Sequence, residues 1–554
     1  MAIQGRDKEF RLPKVTYVDH THIEIDRVLT LLFPRLRFDG HNSRRPPRKS
    51  ELSLEEFTKE FLEHPEWFSG FTQYPDVVRK WIETDLMDLV NRGKPNQAIA
   101  APRPLHGNTY KFRNARHTRD YGAADQLYWM LYYARRGRGQ TVRDALKRFF
   151  FLGIDLNTDR YNPQVAVDVE TQALLRLDQQ VTGDMRDSKA PNRFSPLCIG
   201  QADFLADDIR RLLVYEKHIP RSVLVDYLKT LLSFHLALYH LRLLKLLPSL
   251  VQQRSDDPIC TKCPVDPDDQ TSPHGNCPHR IGLVVDMGDP TNSHMTALAY
   301  RSADSHYRRL PKYIEAQFIT KKLDEFVDYL TSKLGKQALP SAGYFSVGQV
   351  LEFLGPKQAL DRDAYFKARL ASLVEETKSG KTQDVDPEVQ RVLDMGLDAF
   401  ETYIEILVAL RGKFHRERVT KCLDSFLMKN SDTGLLAQAR AKGSPRYFAM
   451  GSRLLEVLLQ IAVLTPQGTS FKTREVRIEE LLQFLRERYG IYIDQLPSYD
   501  GFQQASILDR QALRQNVNAF KTRLREIGFF QDLSDAYITQ TVTPRYTITQ
   551  DARR

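Results

Sequence analysis

Cys260, Cys263, Cys277 and His279 are the residues whose types and spacing imply chemistry on their own. They sit in one stretch, CTKCPVDPDDQTSPHGNCPH at 260–279. Two cysteines separated by two residues, followed by a third cysteine and a histidine, make a set of three thiols and one imidazole. That is the donor set of a structural zinc ion, tetrahedral, with sulfur at about 2.3 Å and nitrogen at about 2.0–2.1 Å. His274 is the alternative fourth ligand, because Cys277 and His279 stand so close in sequence that both reaching one ion strains the chain. The Pro, Asp and Gly residues between the ligands suit an irregular loop whose backbone a metal would fix. A closed four-ligand site leaves no position for water or substrate, so the expected zinc is structural and carries no argument for catalysis.

Other chemical groupings are weaker. In DHTHIE, His20 and His22 fall on one side if the segment is a strand, but no complementary ligand motif accompanies them. Ser, His and Asp recur between 289 and 306 with no nucleophile elbow around them. The GKT at 380–382 lacks the glycine-rich approach of a phosphate-cradling loop. Catalytic residues are therefore not assignable from motifs. A metal-dependent nuclease or other hydrolase would have to assemble its carboxylates from distant positions.

Composition bounds the partners. The 554 residues carry a formal charge of +10 and a pI near 9.1, which favours an acidic partner. DNA leads, RNA is possible, and protein partners in a larger assembly are expected. The five cysteines suit a reducing compartment. Outside the loop, Cys198 and Cys422 read as ordinary buried thiols. No apolar segment opens the sequence, and the leucine-rich run 228–247 is interrupted by His235, His240, Arg242 and Lys245. A membrane span is not expected. The expected location is cytoplasmic, nucleoid-associated in a prokaryote, and otherwise intracellular.

These residues need elements to hold them, and the patterning is mostly helical. It divides into a basic, mixed region at 1–107, a basic aromatic helical region at 108–200, a helical scaffold at 201–375 carrying the Cys-rich loop, a helical domain at 388–465 and a terminal module at 466–554. Within the first region, 91–107 is rich in Pro, Asn and Gly and reads as a connection. In the second, Arg113, Arg116, Arg135 and Arg136 are interleaved with Tyr and Trp. That mixture suits phosphate contact with base stacking, but a helical aromatic stripe more often fills a core, with the basic residues facing water.

The terminal module carries the second independent signal. Leu513, Val517, Phe520, Leu524 and Ile527 recur on one helical face, and Arg510, Arg514, Lys521 and Arg525 cluster on another. Alternation from Tyr537 to Val542 then predicts a β-ribbon turning through Thr543-Pro544, with Arg545 near its tip. Helices followed by a ribbon resemble a winged-helix module, an α+β fold in which one helix enters the major groove. The sequence thus reads as a mostly α-helical multidomain protein with a zinc-knuckle-like loop and a winged-helix-like end. As function it favours a non-catalytic DNA-binding or assembly subunit of a DNA-processing complex. A protein-interaction scaffold is the further alternative.

Overall fold

Pro220 stands at the start of a 33-residue helix, Arg221–Gln253, about 50 Å long at 1.5 Å per residue. Its fixed φ and missing N–H suit a helix entrance. Leucines occur all round this helix, so it is buried on every side, with Leu224, Leu228, Leu231, Leu238 and Leu247 among its inaccessible residues. The computed structural model describes residues 5–549 except 180, 182–183, 270, 335–338, 341, 379–384, 442, 469, 503 and 531–540. Helix outweighs strand, 55% against 8%, so the mostly helical class expected from the sequence holds.

In chain order the helices that matter for the sites are α1 (Ile25–Arg37), α2 (Ala123–Tyr133), α3 (Arg138–Phe150), α4 (Ile199–Leu213), the long helix as α5, α6 (Pro258–Thr261), α7 (Ser293–Tyr307), α8 (Leu310–Leu334), α9 (Ala399–Phe426), α10 (Ser452–Ala462), α11 (Ile478–Tyr489) and α12 (Ile507–Glu526). Helices α1, α4, α8, α9 and α10 all pack on α5. One continuous hydrophobic core results, running from Phe10 to Ile548. Burial of each large aliphatic side chain contributes roughly 1.5–3 kcal/mol.

The strands are short. β1 (Met87–Val90) and β2 (Ala98–Pro102) form an antiparallel hairpin. This hairpin takes up part of the expected connection at 91–107, because the small apolar run AIAAP is buried along its whole length. β3 (Leu283–Val284) runs parallel to β7 (Ile491–Tyr492), joining the end of the Cys-rich loop to the terminal region. Between them in sequence, β4 (Leu464–Gln467) and β5 (Ser470–Thr473) make a second hairpin. β6 (Val476–Arg477) pairs antiparallel with β8 (Thr541–Val542).

β8 differs from the expected ribbon. It bridges to Phe530 on one side and pairs with β6 on the other, while Thr543 N–H donates to the Phe529 carbonyl. The residues past Pro544 instead run along Thr473, through reciprocal bonds with Ile548. Thr543-Pro544 is therefore not the turn of the ribbon. β6, the strand that pairs with β8, lies far back in sequence, which alternation cannot reveal. Tyr537–Gln540, the first half of the expected ribbon, fall outside the described residues.

Candidate functional site

Two constellations contain the residues that the sequence selects. The first is the Cys-rich loop. Asp257 caps α6, accepting from Ile259 N–H at 2.8 Å and Cys260 N–H at 3.4 Å. Its other oxygen lies 3.1 Å from His279 Nε2. Donor atoms of Asp257, Cys260 and His279 all lie within 4.8 Å of one another, the one such group of three or more potential metal ligands among the described residues. Cys263 and Cys277 pack with Phe204 and Val265 in a small core beside it. His274 is buried, with its ring nitrogens 3.3 and 3.4 Å from Arg242 Nη2. Burial lowers the pKa of both histidines. Arg242 lowers His274 further, while Asp257 opposes the shift at His279. Neutral imidazole is the form that ligates a metal.

Cationic side chains clamp this loop from outside. Arg135 donates to Asp203, to the Cys263 carbonyl at 2.9 Å and to the Val265 carbonyl at 2.7 Å. Arg136 pairs with Asp266, and Arg138 with Asp266 and Asp268. From the other side Arg488, on α11, donates to the Pro267 carbonyl at 3.2 Å and pairs with Asp207 and Asp208 of α4. Asp208 also accepts from Tyr489 and faces His235. This buried ionic network joins loop, scaffold and terminal region. Burial alone would raise the Asp207 carboxyl, but Arg488 and Arg211 outweigh it and hold the group below the ordinary carboxylate range.

The second constellation is α12. Ser506 and Asp509 form a capping box at its start, and Asp509 also binds His294 at 2.8 Å. Its buried face, with Leu513, Asn516, Phe520 and Leu524, packs against α7 and the short strands. Asn516 fixes the register: its amide donates to the carbonyls of Val285 and Ile493, both at 2.9 Å, and accepts from Met287 N–H at 2.8 Å. Arg510, Arg514 and Arg525 are exposed and Lys521 is half-buried. At 3.6 residues per turn these four fall within about 60° of arc and span about 22 Å. Among the described residues, Arg510, Arg514 and Lys521 make no side-chain hydrogen bond or ion pair; Arg525 lies against Phe530.

The remaining selected residues are placed differently. Arg113 is buried and donates to the carbonyls of Tyr110 and Arg45. Arg116 is exposed, 4.0 Å from Glu51. Tyr128 and Trp129 face the core, and Arg143 stacks over Tyr132 from within the chain. Arg545 pairs with Glu456 and donates to the Ile527 carbonyl at 2.6 Å. His20 and His22 part company, the first buried and the second exposed. Sequence reasoning missed Arg488, Asp207 and Asp208, which carry no motif; their signal is a pair of adjacent acids in a helix that is buried along nearly its whole length.

The comparison with known families decides the affiliation. Residues 5–546 match the model of the methylation-associated defense system protein MAD7. The chain belongs to the MAD7 family. No curated protein and no solved structure matches it. MAD7 membership gives the chain a defense-system role. Among its described residues, no helix is long and apolar enough to cross a membrane.

Proposed function

We propose that this MAD7-family chain is a non-catalytic DNA-binding or assembly subunit of its defense system, with α12 as the DNA-contacting element. The observation that carries the reading is the row Arg510, Arg514 and Lys521, presented from a helix whose other face is locked by Asn516. Cations that hold no internal partner retain their charge for phosphate, and a rigid helix sets their spacing in advance. The order of elements supports a winged-helix reading. β6 leads into α11, α12 follows, and β8 then pairs both with β6 and with Phe530. In that fold the helix in the position of α12 enters the major groove.

Arg113, Arg135 and Arg545 contribute little to this surface, because their donors are engaged within the chain; Arg136 is exposed and holds Asp266 through one nitrogen. Arg116 is exposed and extends the basic character to a second face. A structural zinc ion at the Cys-rich loop would hold the junction that Arg135 and Arg488 grip, and so keep α12 fixed relative to the scaffold. Protein partners within the same defense system follow from the assembly role.

A second reading has its own observation. Ile507 is 84% exposed and Leu508 63% exposed at the start of α12, beside Arg510. Apolar side chains flanking cations suit docking onto an acidic protein. Binding of the purified protein to labelled duplex DNA, single-stranded DNA and RNA separates the two. The DNA reading predicts duplex binding that is lost in Arg510→Glu/Arg514→Glu/Lys521→Glu. Binding unchanged by those substitutions, or none in the wild type, overturns it and favours the docking surface.

A further inference from the structure

Three segments far apart in sequence, 42–50, 113–117 and 184–187, are held side by side. Ser43 pairs antiparallel with Arg186, and Arg48 pairs parallel with Asn114. Arg44 N–H donates to the Met185 carbonyl at 2.8 Å and Asp187 N–H to the Asn42 carbonyl at 2.7 Å; Arg48 N–H donates to Arg113 at 2.9 Å and Ala115 N–H to Arg48 at 2.8 Å. Buried side chains fasten the same backbone from within. Arg113 donates to the Arg45 carbonyl at 2.6 Å, and Asn114 to the Ser50 carbonyl at 3.0 Å. Pro46 and Pro47, with fixed φ, stiffen the stretch between Arg44 and Arg48.

The free charge on this platform has one sign. Arg44, Arg48, Lys49 and Arg186 are exposed, and among the described residues none of the four makes a side-chain hydrogen bond or ion pair. The acids of these segments are engaged elsewhere. Asp184 accepts from Ser43 Oγ at 2.9 Å, from Arg45 N–H at 3.3 Å and from the Tyr110 hydroxyl at 2.5 Å. Asp187 accepts from Lys189 N–H at 3.1 Å, and Glu51 lies 3.2 Å from His117 Nε2. The four residues between them keep Arg44 and Arg48 within about 14 Å, and the bridge at Ser43 sets Arg186 beside Arg44. Like charges gathered this way repel one another, and a polyanion relieves the repulsion.

We propose that Arg44, Arg48, Lys49 and Arg186 form a second DNA-contacting surface, which holds the phosphate backbone and reads no bases. Its three segments contain no helix to enter a groove, so its contacts position the duplex without specifying sequence. Arg116, also exposed, extends the surface from the middle segment. This surface shares no residue with the row on α12 and does not rest on it.

Duplex binding across a salt series tests the surface in wild type, in Arg44→Gln/Arg48→Gln/Lys49→Gln/Arg186→Gln, in Arg510→Gln/Arg514→Gln/Lys521→Gln, and in the two sets combined. The platform set should make the slope of log K against log salt concentration shallower by roughly 2–4, by the same amount on unrelated duplex sequences. Its thermal midpoint should match wild type, since the side chains removed hold nothing inside the chain. A slope unchanged by the platform set with α12 intact overturns this surface and leaves α12 standing. A slope changed by the platform set and unchanged by the α12 set supports this surface and removes α12. Loss confined to one duplex sequence contradicts contact through the backbone alone, and wild-type protein that binds no duplex overturns both surfaces.

Discussion

Arg135 meets Asp203 twice and the loop carbonyls of Cys263 and Val265 once each. Asp203 has no solvent-accessible side-chain surface. Removing the guanidinium leaves a buried carboxylate short of its cation and two carbonyls short of donors. Arg135→Ala is therefore expected to destabilise the protein by about 2–4 kcal/mol in urea unfolding. Arg136→Ala, whose partner Asp266 is part-exposed, should cost less than about 1 kcal/mol. Equal losses would show that the clamp does not carry the loop. The interleaved arginines at 113–136 looked alike in sequence, since charge and spacing do not reveal whether a guanidinium meets solvent or a buried acid. The cysteine spacing was legible because its three members share one loop.

At the scale of elements, the position of α12 depends on one amide. Asn516 satisfies three backbone groups, the carbonyls of Val285 and Ile493, each one residue past a short strand, and the N–H of Met287 on the way from β3 to α7. Asn516→Leu preserves size but leaves those groups unpaired, and a loss of about 3 kcal/mol or more is expected in chemical unfolding. Asn518→Ala, on the exposed side, should change stability by less than about 0.5 kcal/mol. Comparable effects from the two would contradict the register assigned to α12. Helical periodicity made both faces of this helix readable in advance. The short strands were hidden because β3 with β7 and β6 with β8 are pairings of residues far apart in the chain, two residues long on each side. Such strands are too brief to show alternation.

For the whole molecule, several histidines become buried without gaining enough favourable charge to stay protonated. Burial lowers His106 to about 3, with Arg221 adding to the shift, and His240 to about 4. Burial likewise lowers His306 to about 4 and His415 to about 3. Between those values and the unfolded value near 6.5, the unfolded chain binds more protons than the folded one. Stability therefore rises with pH across this window and is lost as pH falls from about 6.5 toward 4. Each group contributes at most about 1.4 kcal/mol per pH unit. Asp88, raised by burial and by Asp26 to about 7, runs the other way, as do Asp120, Asp178, Glu315 and Asp328, which burial also raises; against these five stand eight lowered histidines, the four above with His20, His235, His274 and His279. Thermal or urea midpoints measured at pH 7.5 and 5 should fall at the lower pH. An unchanged or higher midpoint would contradict the burial of these rings. Composition alone indicated the basic balance and many buried leucines, but not which histidines the core encloses.

The central claim is that the cationic row on α12 meets DNA phosphates, and the salt dependence of duplex binding tests it most directly. Each phosphate contact contributes about −0.9 to the slope of log K against log salt concentration. Neutralising Arg510, Arg514 and Lys521 together with glutamine should make that slope shallower by roughly 2–3 and weaken binding similarly across duplex sequences. An identical slope in wild type and variant would place the DNA contact elsewhere and remove α12 from the interface.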